Sequence, residues 1–153
     1  MTIVLSIFIL DRFSKIYVMN LGKINYSPEI YKSKFLNINL IWNEGIAFGL
    51  LSFDQSNLYN LLSFVIGIII LIIFFMILKN NNVKKYPLLM IFAGAIGNLY
   101  DRILYKAVPD FIDFHIGEFH WFIFNVADIF ISFGVFCMIL LELIGNSKEN
   151  ETA

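Results

Sequence analysis

Residues 58–78 read LYNLLSFVIGIIILIIFFMIL, a stretch of 21 residues without one charged side chain. A helix needs about 20 mostly apolar residues to cross the hydrocarbon core of a bilayer. It also satisfies every backbone N–H and C=O within its own segment, as the lipid interior demands. The stretch therefore predicts a transmembrane helix and makes the chain a membrane protein.

Three further apolar stretches predict helices on either side of this one, at about residues 2–20, 86–104 and 125–143. The first carries three ionisable residues and lacks the positive n-region and cleavage site of a signal peptide, so we expect it to be retained. These stretches predict an all-α membrane protein with four transmembrane helices. Residues 1–153 are expected to form a single domain.

The composition argues against several other classes of protein. Of the 153 residues, 59% are hydrophobic, and 11 basic residues balance 12 acidic ones, so nucleic acid is not an expected partner. Cys137 is the only cysteine and cannot form an internal disulfide. His115 and His120 have no His, Cys or Glu at metal-ligand spacing around them, and no phosphate-binding loop is present. We therefore predict no metal and no cofactor.

Charges in the loops predict the orientation. The loop Lys79–Lys85 holds three lysines and no acid, which places it and both termini in the cytoplasm by the positive-inside rule. The connection at residues 22–56 then lies on the outer side. Within it, apolar and more polar residues alternate over Asn37–Trp42, which predicts a short β-ribbon on the outer membrane surface. Residues 46–51 form a short apolar stretch that could dip into the interface.

Polar side chains gather at the outer end of the predicted bundle. A charge at the bilayer centre costs at least about 2.5 to 3.5 kcal/mol, so it normally faces the bundle interior or water and has a partner. Such groups occur at the end of the third helix, in the loop after it, at the start of the fourth helix and past the middle of the first. They are Asp11, Lys15, Asn98, Asp101, Arg102, Asp110, Asp113, Asn125 and Asp128.

The acids of the last loop and the last helix have two interpretations. Asn125 followed three residues later by Asp128 is close to a capping box, which is typical of a helix N-terminus. Asp110 and Asp113 are then solvated loop acids, on opposite faces of an extended segment. Alternatively, one of these loop acids meets Asp128 across the turn. One carboxyl group would then keep a proton while the other activates water.

The polar residues of the first and third helices also have alternatives. Residues 98–102 place an amide, a carboxylate and a guanidinium on one helical face, which indicates either a self-satisfied polar knot or a grip on a substrate backbone. Asp11 and Lys15 are four residues apart, which predicts a structural ion pair. Arg12 is expected to point elsewhere and to snorkel toward the interface.

Five short motifs run from the first predicted helix to the fourth. They are Asp11-x-x-x-Lys15, Asn43-x-Gly45-x-Ala47-Phe48, Gly94-Ala-x-Gly97-Asn98-x-x-Asp101-Arg102, Val108-x-Asp110-Phe111-Ile112 and Phe124-Asn125-x-Ala127-Asp128. In this order they resemble the motifs of the lipoprotein signal peptidases, the signal peptidase II family of bacteria. Each motif is weak alone, but five in order, together with four predicted membrane spans, are specific and cover nearly the whole chain.

The resemblance implies an intramembrane aspartic endopeptidase that removes signal peptides from diacylglyceryl-modified prolipoproteins, cutting just before the lipidated cysteine. Carried over by position, the catalytic pair falls on Asp110 and Asp128, and Asp113 is a bystander. The residues implied to contact the substrate are Asn43, Asn98, Arg102 and Asn125, and those implied to support the site are Asp11, Lys15, Gly45, Gly97 and Asp101. No metal or cofactor is implied.

The same resemblance implies a multi-pass protein of the bacterial cytoplasmic (inner) membrane, with its active site near the outer face. Its expected partners are the lipid-modified prolipoprotein and membrane lipids, and we expect a monomer. The chain departs from the family pattern at Arg12, Ala93, Pro109 and Phe122, none of which removes a carboxylate. A small proton- or cation-coupled transporter is the alternative, because intramembrane acids also bind protons and cations.

Overall fold

The computed structural model describes residues 2–45 and 56–151, with side chains described for residues 2–45 and 59–144. Within these ranges the helices are α1 (Thr2–Asn25), α2 (Ser56–Lys79), α3 (Lys85–Tyr105) and α4 (Val126–Glu151), and the strands are β1 (Glu29–Tyr31), β2 (Leu36–Asn43), β3 (Val108–Ile116) and β4 (Phe119–Phe124). Strands β1 and β2 follow α1, and β3 and β4 lie between α3 and α4. The motif residues Ala47 and Phe48, and the apolar stretch at residues 46–51, lie outside the described residues.

Three of the described helices are long and apolar enough to cross a membrane, over Tyr59–Lys79, Lys85–Tyr105 and Val126–Ile144. Most of the large side chains of α2 point outward, with Phe64 66% and Phe75 58% exposed. Water disfavours such a surface, whereas lipid accommodates it. The prediction is therefore confirmed for these three segments, and a fourth spanning helix at α1 stays a prediction.

The helices end later than their apolar stretches suggest. Helix α1 continues to Asn25 rather than to about residue 20, and α4 continues to Glu151 rather than to about residue 143. Tyr26 and Lys106, which follow α1 and α3, have φ values of 50° and 59°. This left-handed geometry is a common way to end a helix. Hydropathy thus locates the part of a helix that suits lipid, while the helix itself continues until the backbone turns.

Glycines allow α1 and α4 to approach α3 closely. A Cβ added to Gly94 would lie 2.5 Å from the backbone oxygen of Ala127, and one added to Gly134 would lie 2.8 Å from a backbone oxygen of α3. A Cβ on Gly97 would lie 2.7 Å from Oδ2 of Asp11. Small residues at helix interfaces permit this kind of backbone approach in membrane proteins. The contact brings the polar face of α1 and the start of α4 against the same turns of α3.

The four strands form one antiparallel sheet in the order β1-β2-β3-β4. The ribbon predicted at Asn37–Trp42 lies within β2 and is confirmed. The mainly helical fold is confirmed, but the segment after α3 that was expected to be loop forms β3 and β4, so β-structure is not confined to the connection between the first two helices. Gly117 and Glu118 join these strands, and Gly117 has φ +61°, as the first central residue of a type II′ hairpin turn requires.

The sheet lies at one end of the helices. Helices α1 and α3 lead into it from their C-terminal ends, and α4 begins directly after β4. In the pairing of β2 with β3, Ile41 is opposite Asp110 and Asn43 is opposite Val108. The last residues of β2 and the first residues of β3 therefore meet the ends of three helices, and the candidate site lies where they meet.

Candidate active site

A cavity of about 230 Å³ opens between the sheet and the ends of α3 and α4. It brings together five of the residues that the sequence singled out, from four different elements. Its lining consists of Asn43, Asn98, Arg102, Val108, Asp110, Phe122, Ile123, Phe124, Asp128, Ile131 and Ser132. Asp110 and Asp128 therefore face the same cavity. Of the two interpretations of these acids, this arrangement fits the one in which a loop acid meets Asp128, and the loop acid is Asp110.

Asp110 is held by two amide side chains at the start of β3. Its side chain is buried, with 4% of the residue exposed. Asn43 Nδ2 donates a hydrogen bond of 2.9 Å to Oδ2, and Asn125 Nδ2 donates one of 2.6 Å to Oδ1. Both donors are neutral, so they fix the carboxyl group without supplying a compensating positive charge.

The pKa of Asp110 is raised from 3.8 to about 6, chiefly by burial and in addition by the nearby charge of Asp128. The hydrogen bonds from Asn43 and Asn125 favour the ionised form and oppose this rise. The carboxyl group of Asp110 can therefore take up and release a proton near neutral pH. This property suits a general acid or base.

Asp128 is both a helix cap and a wall of the cavity. Asn125 is the N-cap of α4, and its backbone N–H donates to Asp128 Oδ2 over 3.1 Å. The backbone N–H of Asp128 donates to Asn125 Oδ1 over 3.2 Å. The predicted capping box is therefore confirmed. In addition, Asn98 Nδ2 donates to Asp128 Oδ1 over 2.8 Å, so α3 fixes the same carboxylate.

Asn125 connects the two acids. It has no exposed surface, its Nδ2 donates to Asp110, and its Oδ1 accepts from the backbone of Asp128. One amide group therefore sets the relative position of both carboxyl groups. Asn125 does not line the cavity, and its side chain links Asp110 to Asp128 in this structure, while the expected contact of Asn125 with a substrate stays a prediction.

A buried cluster of charges, formed by Asp11, Arg12, Lys15 and Asp101, lies beside the cavity between α1 and α3. Lys15 is fully buried, and its Nζ lies 3.0 Å from Asp11 Oδ1 and 2.7 Å from Asp101 Oδ2. It also donates to Asn98 Oδ1 over 2.8 Å. The predicted Asp11–Lys15 pair is confirmed as part of this larger network. Through Asn98, the network reaches the carboxylate in the cavity.

Arg12 belongs to this cluster, and the expectation that it snorkels away is wrong. Its guanidinium forms two contacts with Asp101, through Nη1 to Oδ1 and through Nη2 to Oδ2, the second at 2.6 Å. Nη2 also lies 2.6 Å from Asp11 Oδ2, and the group stands 5.0 Å from the centre of the Tyr100 ring. The fork of the guanidinium matches a carboxylate, and its plane suits an aromatic face, so the inward rotamer is favoured.

The polar residues of α3 do not form the self-contained knot considered above. Asp101 turns to α1, whereas Arg102 lines the cavity. Arg102 Nη1 lies 3.3 Å from the backbone oxygen of Asn98, and Nη2 lies 3.4 Å from that of Gly45. Gly45 is held in turn through its N–H, which donates to Asn43 Oδ1 over 3.0 Å. Arg102 thus steadies the end of β2 while it faces the space where a substrate would lie.

Asp113 lies on the other side of β3, away from the cavity. It is 4% exposed, so it is not the solvated loop acid that was expected. Asn37 Nδ2 donates to it over 3.2 Å, and His120 Nδ1 lies 2.9 Å from each of its oxygens. The hydrophobic lining from β4, and Ser132 on α4, were also missed. A two-residue Gly-Glu turn between alternating aromatic segments was the signal for β4.

The fold and the site together indicate a membrane enzyme, since a protein with apolar spanning helices brings two acids, Asp110 and Asp128, to one cavity. The family model described as signal peptidase (SPase) II matches residues 3–144. The chain is 55% identical over 149 residues to the lipoprotein signal peptidase of Pelagibacter ubique (strain HTCC1062), covering 97% of this chain and 90% of that protein. It is 35% identical over 147 residues to that of Anaplasma marginale (strain Florida), with coverages of 95% and 84%.

Two solved structures, each described as a bacterial membrane enzyme, share the fold. One has a TM-score of 0.76 at 27% identity and covers 97% of this chain and 88% of its own. The other has a TM-score of 0.76 at 29% identity, with coverages of 93% and 90%. The chain belongs to the signal peptidase II family, and it is a peptidase. None of these matches supports the transporter alternative.

Proposed function

We propose that the chain is an aspartic endopeptidase that removes signal peptides from lipid-modified prolipoproteins, cutting before the lipidated cysteine. Signal-peptide removal from prolipoproteins is supported by membership of the family and by the lipoprotein signal peptidases it resembles. One observation carries the assignment of catalytic type. Asp110 and Asp128 line the same cavity, and Asn125 is hydrogen-bonded to both.

In the proposed mechanism the two acids share one proton. Two carboxylates in one buried site repel each other, so one of them keeps a proton while the other stays ionised. The ionised group takes a proton from a water molecule, and that water attacks the scissile carbonyl. The protonated group donates to the carbonyl oxygen. When the tetrahedral intermediate collapses, the departing amine receives a proton from the pair. Because water and not an enzyme side chain attacks the carbonyl, no covalent enzyme intermediate forms.

The cavity lining suggests how the substrate is placed. Asn43, Asn98 and Arg102 present polar groups beside the acids, and we assign them to the peptide backbone around the cleavage site. The apolar side chains of Phe122, Ile123 and Phe124 form a wall of the cavity. We assign the acyl chains to the apolar outer faces of the helices, since a cavity of about 230 Å³ is small compared with two acyl chains.

We further propose that α1 is the fourth span, although its composition includes three ionisable residues. Asp11 and Lys15 are 1% and 0% exposed, so their charges face the bundle interior. The opposite face is apolar and exposed, with Leu5 at 60%, Ile9 at 55% and Phe13 at 70%. A helix with this division can cross lipid because its charges are paired inside the protein.

The positive loop Lys79–Lys85 lies at the end of the helices opposite the sheet. With this loop and both termini in the cytoplasm of a bacterial cell, the sheet and the cavity lie near the outer face of the inner membrane. The protein is proposed to act there as a single multi-pass domain and as a monomer. A reporter that is active only outside the cytoplasm, fused after Lys85, tests the orientation, and activity of that fusion contradicts it.

The catalytic assignment is tested with purified protein in detergent and a diacylglyceryl-modified prolipoprotein. Asp110→Asn and Asp128→Asn are expected to abolish cleavage, while Glu29→Gln on the exposed edge strand leaves the rate unchanged. Thermal unfolding of each variant shows that a loss of rate is not a loss of fold. Cleavage by both Asp variants at the parental rate would exclude an aspartic mechanism. Equal cleavage of an unlipidated substrate would exclude recognition of the lipid.

A further inference from the structure

We propose that Asp113, His115 and His120, on the hairpin formed by β3 and β4, bind a divalent transition-metal ion of the Zn²⁺ type. One ligand atom from each of the three residues lies within 4.8 Å of the others. The cluster is separate from the cavity, because none of the three residues lines it. The inference therefore stands independently of the proposed catalytic mechanism.

The hairpin places the three side chains together by its register. His115 and His120 are direct cross-strand partners, and their rings stack with centroids 4.9 Å apart. Asp113 is two residues before His115, and alternate residues of a strand share one face. His120 Nδ1 already lies 2.9 Å from both oxygens of Asp113. The linear spacing around the histidines gave no sign of this, because the strand pairing creates it.

His115 carries an unused ring nitrogen. The residue is 8% exposed, and its Nδ1 is buried without a hydrogen-bond partner among the described residues. A buried polar atom normally has a partner, and an orphaned one in a native protein calls for an explanation such as an ion. A simple ion pair between Asp113 and His120 leaves the unpartnered Nδ1 of His115 unexplained. A metal ion gives the buried imidazole a role in the cluster.

The surroundings fit a metal site in two further respects. Asn37, the cross-strand partner of Asp113 on β2, donates to Asp113 Oδ2 and so orients the carboxylate from behind, as partners of metal ligands commonly do. The side chain of His120 is 51% exposed, which gives an ion access from solvent. Its exposure also leaves the ring free to move. Such movement is needed, because ligand atoms around a tetrahedral zinc ion stand only about 3.4 Å apart, and those of the cluster lie up to 4.8 Å apart.

The ligand set selects the class of ion. Imidazole suits Zn²⁺ and its neighbours, whereas Mg²⁺ and Ca²⁺ prefer sets made of oxygen atoms alone. Two imidazoles and one carboxylate leave at least one position for water. A bound ion would brace the hairpin whose second strand, through residues 122–124, forms one wall of the cavity.

The test is a zinc titration of the full chain, purified without a histidine tag, stripped with a chelator and competed against a chromophoric chelator. The parent is expected to bind one Zn²⁺ with a micromolar or lower Kd. His120→Ala and Asp113→Asn are expected to weaken binding by roughly tenfold or more. Glu118→Gln, in the exposed turn of the same hairpin, is the matched control and keeps the parental affinity.

Thermal unfolding supplies the second readout. Zn²⁺ is expected to raise the midpoint of the parent and of Glu118→Gln, but not that of His120→Ala, because only the folded site binds the ion. His120 is half exposed, so its removal is compatible with folding. Binding weaker than micromolar in the parent, or a loss of less than tenfold in the variants, overturns the proposal. In that case the cluster is an ion pair beside a buried histidine.

Discussion

The chain buries acidic side chains in two neighbouring places and treats them differently. In the cluster between α1 and α3, Asp11 and Asp101 contact the cations of Lys15 and Arg12. In the cavity, the partners of Asp110 are amide groups of neutral side chains. Asp110 is nearly as buried as Asp11 and Asp101, so the charge of the partners makes the difference between them.

This difference distinguishes acids suited to holding helices together from an acid suited to proton transfer. A carboxylate between two cations has its charge balanced by its partners, and such a cluster ties helices together. A carboxyl group held only by neutral amides in a cavity keeps its position while its proton remains exchangeable. Asn98 connects the two places, since it accepts from Lys15 and donates to Asp128. The charged cluster therefore positions part of the cavity without entering it.

The largest expected effect is on catalysis, when either acid of the cavity is replaced. Asp110→Asn and Asp128→Asn each keep the size of the side chain but remove a proton-transfer group, so the cleavage rate should fall by at least about 10² to 10⁴. Both variants should still unfold cooperatively, as folded proteins do. Rate measurements on the lipidated substrate, with unfolding curves of the same samples, check both statements. If a variant unfolded easily but its folded molecules cleaved at the parental rate, the replaced acid would have a structural role and not a catalytic one.

The next effect is on stability, when the charged cluster is broken. In Asp101→Asn, Arg12 and Lys15 keep Asp11 as their acidic partner within the cluster but lose Asp101. Removing one partner of a buried ion pair costs about 3 to 5 kcal/mol of stability. Unfolding in mixed micelles measures this free energy.

The double variant Arg12→Gln with Asp101→Asn is the control for this prediction. It removes one charge of each sign, and we expect a loss smaller than the sum of the two single losses. Additive losses would show that the two side chains do not interact.

The dependence of stability on pH gives a third effect. The pKa of Asp110 is raised in the folded state, from 3.8 to about 6, so folding favours its protonated form. The stability that this provides is present below about pH 4 and is lost as the pH rises through 6, in total about 3 kcal/mol. Asp110→Asn has no such proton. The parent should therefore lose about 3 kcal/mol relative to this variant between pH 4 and pH 8. A constant difference across that range contradicts the raised pKa.

The sequence predicted those features whose signals are local. Apolar stretches located the helices, because lipid imposes a length and a composition on each span. The Asn125 and Asp128 spacing predicted the cap, because a capping box is a four-residue pattern. The motif residues Asn43, Asn98 and Asp110 came together in the cavity as well, although they lie on separate elements.

The sequence did not predict features that depend on tertiary contact. Arg12 and Asp101 are 89 positions apart, and hydropathy does not say toward which neighbour a long side chain turns. Strand β3 has nearly every residue buried or half-buried up to Asp113, so it lacks the alternation typical of a strand with one polar face. Burial alternates only over its last four residues, from Asp113 to Ile116, where the register with β4 also shifts. The cluster of Asp113 with the two histidines was missed for the same reason.

The smallest effect concerns Arg12, where the sequence-based expectation and the structure disagree. A snorkelling arginine contributes little, and its replacement should change stability by no more than about 0.5 kcal/mol. In the structure its side chain is 13% exposed and binds two buried carboxylates, so Arg12→Gln should cost about 1.5 to 3 kcal/mol. Lys23→Gln, an exposed cation near the end of the same helix, is the matched control and should change little. Arg12→Lys should recover part of the loss, since it keeps the charge but not the two-pronged contact with Asp101. If Arg12→Gln and Lys23→Gln had equal, small effects, the Arg12 side chain would point toward the membrane surface. The charged cluster would then consist of Asp11, Lys15 and Asp101.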